Sequence, residues 1–182
     1  MTQSEVQKEL EKFRDFVIKE ARSNLTRSQK NVSKGLYESL KGNVKAMPNS
    51  FSMDFEMNLY GQFQDKGVKG SNPSLVKNGK QKAPNSPYSF KSKKPPMQPL
   101  MQWAKKKNLR FRNEDGTYAK GGYKTLGFWL QKRIFAQGIK PSLFFTKPFE
   151  AAFRRLPDEL VEKFGLDAMN LFKQTQFKNE KK

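Results

Sequence analysis

Residues 66–113 set the terms for the rest of the chain. They hold 11 Lys and 2 Arg and not one Asp or Glu. Pro73, Pro84, Pro87, Pro95, Pro96 and Pro99 interrupt the same stretch. The chain carries a formal charge of +19 at pH 7, of which +13 lies here, against +1 in residues 1–65 and +5 in residues 114–182. Like charges at this density repel one another and resist collapse into a core. The prolines withhold backbone donors and stop regular elements. Such a stretch stays solvated until something negative, or the interior of an assembly, meets it. The two flanks must therefore supply the folded body.

At 182 residues the chain reads as a single domain, residues 1–182, with a basic Pro- and Gly-rich loop insertion at 66–96 and a flexible tail at 178–182. A body of roughly 130 residues buries a modest core, and with 16 Phe, 5 Tyr and 2 Trp that core is expected to be rich in phenylalanine. There is no Cys and no His. That removes disulfides, thiol catalysis, the usual zinc and iron–sulfur ligands and the commonest general base. No enzyme activity, cofactor or bound metal is expected. The one chemistry left open is an all-carboxylate magnesium site, for which Asp54, Glu56 and Asp65 are the candidates; the simpler reading of Asp54 and Glu56 is the wet face of a strand. No run approaches the ~20 apolar residues of a membrane span, and the first residues do not read as a signal peptide. Both point to a chain made and kept in a cytoplasm, or in a particle assembled there, with no membrane partner. A balance of +19 attracts polyanions: nucleic acid, an anionic membrane surface, or an acidic protein face, and charge alone does not choose among them.

Along the chain, Val6, Leu10, Phe13 and Val17 recur at helical spacing and predict an amphipathic helix over 3–22. Thr2 and Glu5 have the spacing of a capping box. Residues 24–41 predict a second short helix ended by Gly42. Phe51, Met53, Phe55 and Met57 alternate with Ser52, Asp54 and Glu56, which is a strand with one buried face. With residues 43–47 and a Pro48-Asn49 turn this gives a hairpin over about 43–57. A lone hairpin is marginal in water, so it needs a third strand, a covering helix or a neighbouring subunit. One or two helical turns at 58–66 close at Gly67. Residues 70–94 show no period and read as a loop. Helices are expected at 97–107 and 123–137, the latter with Leu126, Trp129, Leu130, Ile134 and Phe135 on its apolar face and Gly138 as its stop. An extended 139–146, a helix at 147–156 and a last helical stretch from Pro157 through Leu171 and Phe172 complete the body. The class is α+β: a small antiparallel sheet, a long N-terminal helix, several C-terminal helices and a long basic loop.

Three pieces stand in a telling order. Leu59-Tyr60-Gly61-Gln62-Phe63-Gln64-Asp65-Lys66-Gly67-Val68-Lys69-Gly70 follows the Phe51–Met57 strand. Pro99 to Leu109 is a Trp- and Lys-bearing helix. Phe128 to Ile134 then runs into Gly138-Ile139-Lys140-Pro141-Ser142-Leu143-Phe144-Phe145-Thr146-Lys147-Pro148-Phe149. In that order and spacing they resemble the head–tail connector, or tail-completion, proteins of tailed bacteriophages, over about residues 36–156. The lysine- and asparagine-rich style is similar to versions from crAss-like phages. The resemblance implies a structural virion protein of the neck or collar. Many copies would form a ring, twelve-fold or alternatively six-fold, that joins the portal to other neck and tail proteins and leaves a channel for DNA. The basic loop is longer than in the smallest members of that family.

Two sets of candidate contact residues follow. Lys66, Lys69, Lys77, Lys80, Lys82, Lys91, Lys93 and Lys94 are expected to meet a partner protein or the phosphates of packaged DNA, in the latter case without reading sequence. Tyr60, Phe63, Phe144, Phe145 and Phe149 are expected at subunit interfaces, with core packing as the alternative for each. The competing functional readings are a monomeric, sequence-independent nucleic-acid-binding protein using residues 66–113, and a metal-dependent nuclease.

Overall fold

The computed structural model describes residues 1–28, 34–119, 121–164 and 176–178. In chain order its elements are α1 (Gln3–Arg27), α2 (Gly35–Ser39), β1 (Lys41–Met47), β2 (Ser50–Glu56), α3 (Tyr60–Lys66), β3 (Val68–Lys69), α4 (Ser74–Lys77), α5 (Met97–Lys106), α6 (Tyr123–Gln137), β4 (Gly138–Ile139), α7 (Thr146–Phe153), α8 (Asp158–Phe164) and β5 (Gln176–Lys178). The class is α+β, as expected. The chain divides into two compact units, one of residues 1–61 and 143–182, the other of residues 62–142. The basic insertion lies wholly in the second.

The first unit is built on α1. Val6, Leu10, Phe13, Val17, Ala21 and Leu25 are buried along one stripe, and Leu25 carries it past the expected helix end at residue 22. The Thr2 hydroxyl accepts from the Glu5 N–H, and the Glu5 carboxylate accepts from the Thr2 N–H at 2.6 Å. The Thr2 N–H on the carboxylate is the main cause that holds the Glu5 carboxyl below the usual carboxylate range. The hairpin pairs Lys41 with Glu56 through Met47 with Ser50. Gln7 fastens α1 to β1: its side-chain oxygen accepts from the Ala46 N–H and its amide donates to the Val44 carbonyl. Of the helix expected at 24–41, residues 24–27 belong to α1, residues 35–39 form α2 and residues 29–33 lie outside the described residues; Gly42 is a strand residue rather than a helix stop. A Cβ at Gly42 would stand 2.9 Å from Arg14 Cγ and 3.0 Å from the Phe55 ring, so glycine is what lets α1 lie close over β1.

Both supports that the hairpin requires are present: α1 covers it, and β5 adds a strand parallel to β2, with Phe55 opposite Phe177. The sheet is therefore mixed, in the order β1-β2-β5. Lys178 belongs to β5 and not to a tail. The expected helical positions Met169, Leu171 and Phe172, and residues 179–182, lie outside the described residues. Phe144, Phe145 and Phe149 enter the same core. Phe149 meets Phe13 edge-on at 5.1 Å and Phe145 meets Phe55 at 5.1 Å. The Pro157 carbonyl receives the first-turn N–H groups of Leu160 and Val161, so Pro157 stands just before α8, which begins at Asp158, rather than at its first helical position.

In the second unit α5 packs along α6. Ala104 on α5 and Leu126 and Gly127 on α6 are its buried positions. A Cβ at Gly127 would run into the Met101 side chain. Trp129, expected on the apolar face of α6, is instead 41% exposed, and Phe128 is 48% exposed. α5 covers one side of α6, and Phe128 and Trp129 lie off that side at the surface. No helix among the described residues is long and apolar enough to cross a membrane.

Candidate functional site: a glycine junction and an arginine–aromatic surface

Residues 66–70 and 138–142 are some 70 positions apart in sequence, and the fold joins them. Val68 pairs with Ile139 and Lys69 with Gly138, antiparallel. The Ser142 N–H donates to the Gln64 and Asp65 carbonyls, and its hydroxyl donates to the Gln64 carbonyl at 2.6 Å. Gly67 (φ 72) and Gly138 (φ 84) both sit in left-handed backbone. A side chain on Gly67 would meet the Ile139 carbonyl and Pro141; one on Gly138 would run into the Val68 carbonyl. The two backbones touch because neither residue has a Cβ.

The basic segment hangs from this junction. An α-helix leaves its last carbonyls without partners. Here those of Phe135, Ala136 and Gln137 accept from the N–H groups of Ser71, Asn72 and Lys82. Gln81 is 8% exposed and acts as a latch. Its oxygen accepts from the Gly70 N–H, and its amide donates to the Gly70 and Asn72 carbonyls at 2.9 and 3.0 Å. Lys69 exchanges backbone bonds with Tyr88 and Phe90. The Tyr88 hydroxyl reaches Gln62 at 2.9 Å. The stretch read as a structureless loop is thus irregular yet tied down along its backbone. Its lysine tips are another matter: Lys77, Lys80, Lys82, Lys91, Lys93 and Lys94 are exposed, while Lys66 and Lys69 are partly buried.

Removing the latch strands a buried donor and acceptor, which costs about 1–3 kcal/mol. Gln81→Ala is therefore expected to speed amide hydrogen exchange at Gly70 by roughly ten- to a hundred-fold, with exchange in α1 unchanged. Equal acceleration in both places would mean that Gln81 serves general stability only.

The aromatic candidates separate. Phe144, Phe145 and Phe149 are at most 1% exposed; they are core and present nothing to a neighbour. Tyr60 and Phe63 are 46% and 42% exposed, so they do not fill the space under the hairpin. Phe63 keeps one edge against Tyr88 at 4.8 Å. Among the described residues no three His, Cys, Asp or Glu side chains cluster as metal ligands.

A second surface was not among the candidates. Residues 109–119, which fall between the helices expected at 97–107 and 123–137, form a small ribbon. Arg112 bridges Tyr118, Ala119 N–H bonds the Phe111 carbonyl at 3.0 Å, and Gly116 (φ 82) turns the tip. Asp115 accepts from the Thr117 N–H and hydroxyl, which holds its carboxyl below the usual range. Arg110 lies over Tyr118 at 5.3 Å and Tyr123 at 5.9 Å, and Arg112 lies over Tyr118 at 5.1 Å. Phe111, the residue between them, meets the edge of Trp129 at 5.6 Å. On α6, Arg133 covers Trp129 and Lys132 covers Phe128. The signal in the sequence was alternation, with arginines at 110 and 112 flanking Phe111; it is too short to stand out. Comparison with protein-family models, curated proteins and solved structures finds no match.

Proposed function

We propose that this chain is a structural subunit of a phage neck or collar, working by assembly into a ring that joins the portal to the tail. The observation that carries the reading is the glycine junction. Val68-Lys69 and Gly138-Ile139, which belong to two of the pieces on which the resemblance rests, pair with each other across about 70 residues of intervening chain, and Ser142 bonds the Gln64 and Asp65 carbonyls beside them. Motifs that met by chance in sequence would have no reason to meet in the fold. The absence of His and Cys suits a protein that acts through geometry rather than catalysis. Repeated interfaces between identical subunits close into a ring when the rotation between them closes. Twelve copies match a portal, and six suit a tail-side ring. The exposed Tyr60 and Phe63 are the aromatic candidates left for subunit contact.

The test is the location of the chain in a particle. Quantitative mass spectrometry of purified virions is expected to find it at about one copy per portal subunit, or about half that for a six-fold ring, and antibody labelling in electron micrographs is expected at the neck. A chain abundant in infected cells and missing from virions would refute the reading.

A further inference from the structure

We propose that the arginine–aromatic ribbon, rather than the lysine-rich loop, is a contact surface for duplex DNA. It would grip phosphates through Arg110, Arg112 and Arg133, with Lys132 beside them. Three observations lead there. First, no carboxylate pairs with any of these four cations among the described residues. The acidic residues nearest in sequence, Glu114 and Asp115, sit at the ribbon tip, where Asp115 is engaged by Thr117. Second, each cation rests on an aromatic ring at 4.6 to 5.9 Å. A guanidinium over a ring still has donors to spare for phosphate, which matches its fork: Arg112 gives one of its five to the Gly116 carbonyl at 3.5 Å and Arg133 one to the Gln137 side-chain oxygen at 3.2 Å, and Arg110 also bonds Tyr123. Ring support also restrains a long side chain in advance, which lowers the ordering cost of binding. Lys77, Lys91, Lys93 and Lys94 have no such ring support among the described residues and are exposed. Third, the unit holding this ribbon contains the whole acid-free stretch of 13 cations. A local acidic patch on a protein offers few charges, whereas duplex DNA offers one per about 1.7 Å of axis. Contacts of this kind position the duplex without reading its sequence. The inference does not depend on ring formation and is tested on the isolated chain.

The experiment is fluorescence anisotropy of the full chain on a labelled duplex of about 30 base pairs and mixed sequence, from about 50 to 200 mM salt. The triple change Arg110→Ala, Arg112→Ala and Arg133→Ala is expected to weaken binding at the low-salt end by at least about tenfold. It should also flatten the log–log salt slope by about 2–3, since each phosphate contact contributes about 0.9. The triple change Lys91→Ala, Lys93→Ala and Lys94→Ala removes the same charge and is expected to stay within about threefold of the parent. Tyr118→Leu removes no charge and is expected to weaken binding severalfold by releasing two guanidiniums. Arg110→Lys with Arg112→Lys keeps the charge, loses the fork and should fall between. All these side chains are at the surface, and a thermal melt by circular dichroism verifies each fold. Equal losses in the two triple variants would overturn the proposal. So would an unaffected Tyr118→Leu, tighter binding to a single strand of the same length, or competition by polyglutamate as effective as by DNA.

Discussion

Phe149→Ala is expected to destabilise the first unit by about 3–5 kcal/mol, the range for deleting a buried phenylalanine. The ring is fully buried and lies against three others: Phe13 at 5.1 Å, and Phe55 and Phe145 each at 6.2 Å. Those neighbours come from α1, β2 and the segment entering α7, so one side chain ties the N-terminal helix, the sheet and the C-terminal helices together. Each edge-on aromatic pair adds about 0.5–1.5 kcal/mol beyond burial. A small domain is stable by only about 5–15 kcal/mol, so this single change removes much of the margin. Urea unfolding at 25 °C followed by circular dichroism measures it. Phe128→Ala, at an exposed position on α6, serves as the control and is expected to stay within about 0.5 kcal/mol of the parent. A Phe149→Ala loss no larger than the control's would contradict the core placement.

The second large effect is expected at Gly138. Two glycines of the second unit have nearly the same φ, Gly138 at 84° and Gly116 at 82°, but differ in what surrounds them. Nothing lies within 4 Å of a Cβ at Gly116, whereas at Gly138 it would strike the Val68 carbonyl and crowd Gly70 N at 2.7 Å. Alanine at Gly116 carries only the left-handed penalty of about 1–2 kcal/mol. Alanine at Gly138 carries that penalty and must also part β3 from β4, so more than about 3 kcal/mol is expected. Parting the strands removes the support of the basic segment, and trypsin should then cut at Lys77 to Lys94 much faster than in the parent. Equal proteolysis of the two variants would show that the junction does not hold the segment.

Periodicity made much of this fold legible, and its failures have physical causes. The stripe of α1, the alternation of β2 and the stops at Gly67 and Gly138 all announce themselves within a dozen residues. Three-residue β5 does not: it is defined by its partner, β2, and carries too little pattern of its own. Gln81 is one polar residue among lysines and asparagines, and its burial follows from the carbonyls and N–H groups that surround it. The surface position of Trp129 and Phe128 could not be read from spacing, because spacing fixes which residues share a helix face but not which face finds a partner. For Phe144, Phe145 and Phe149 the sequence allowed core or interface, and packing against Phe13 and Phe55 decides for core. The lysines were conspicuous by number. The arginines at 110 and 112 matter through what each rests on, and that is visible only once the ribbon has formed.

The most direct test of the ring is the mass of the native complex, measured on the purified chain alone and with its candidate portal. The account predicts a defined multiple of the chain bound to the portal, twelve copies on a twelve-fold portal or six on a tail-side partner, whether or not the free chain is monomeric. A chain that stays strictly monomeric and ignores the portal, while still binding duplex DNA at low salt, would contradict the ring and leave a nucleic-acid-binding protein in its place.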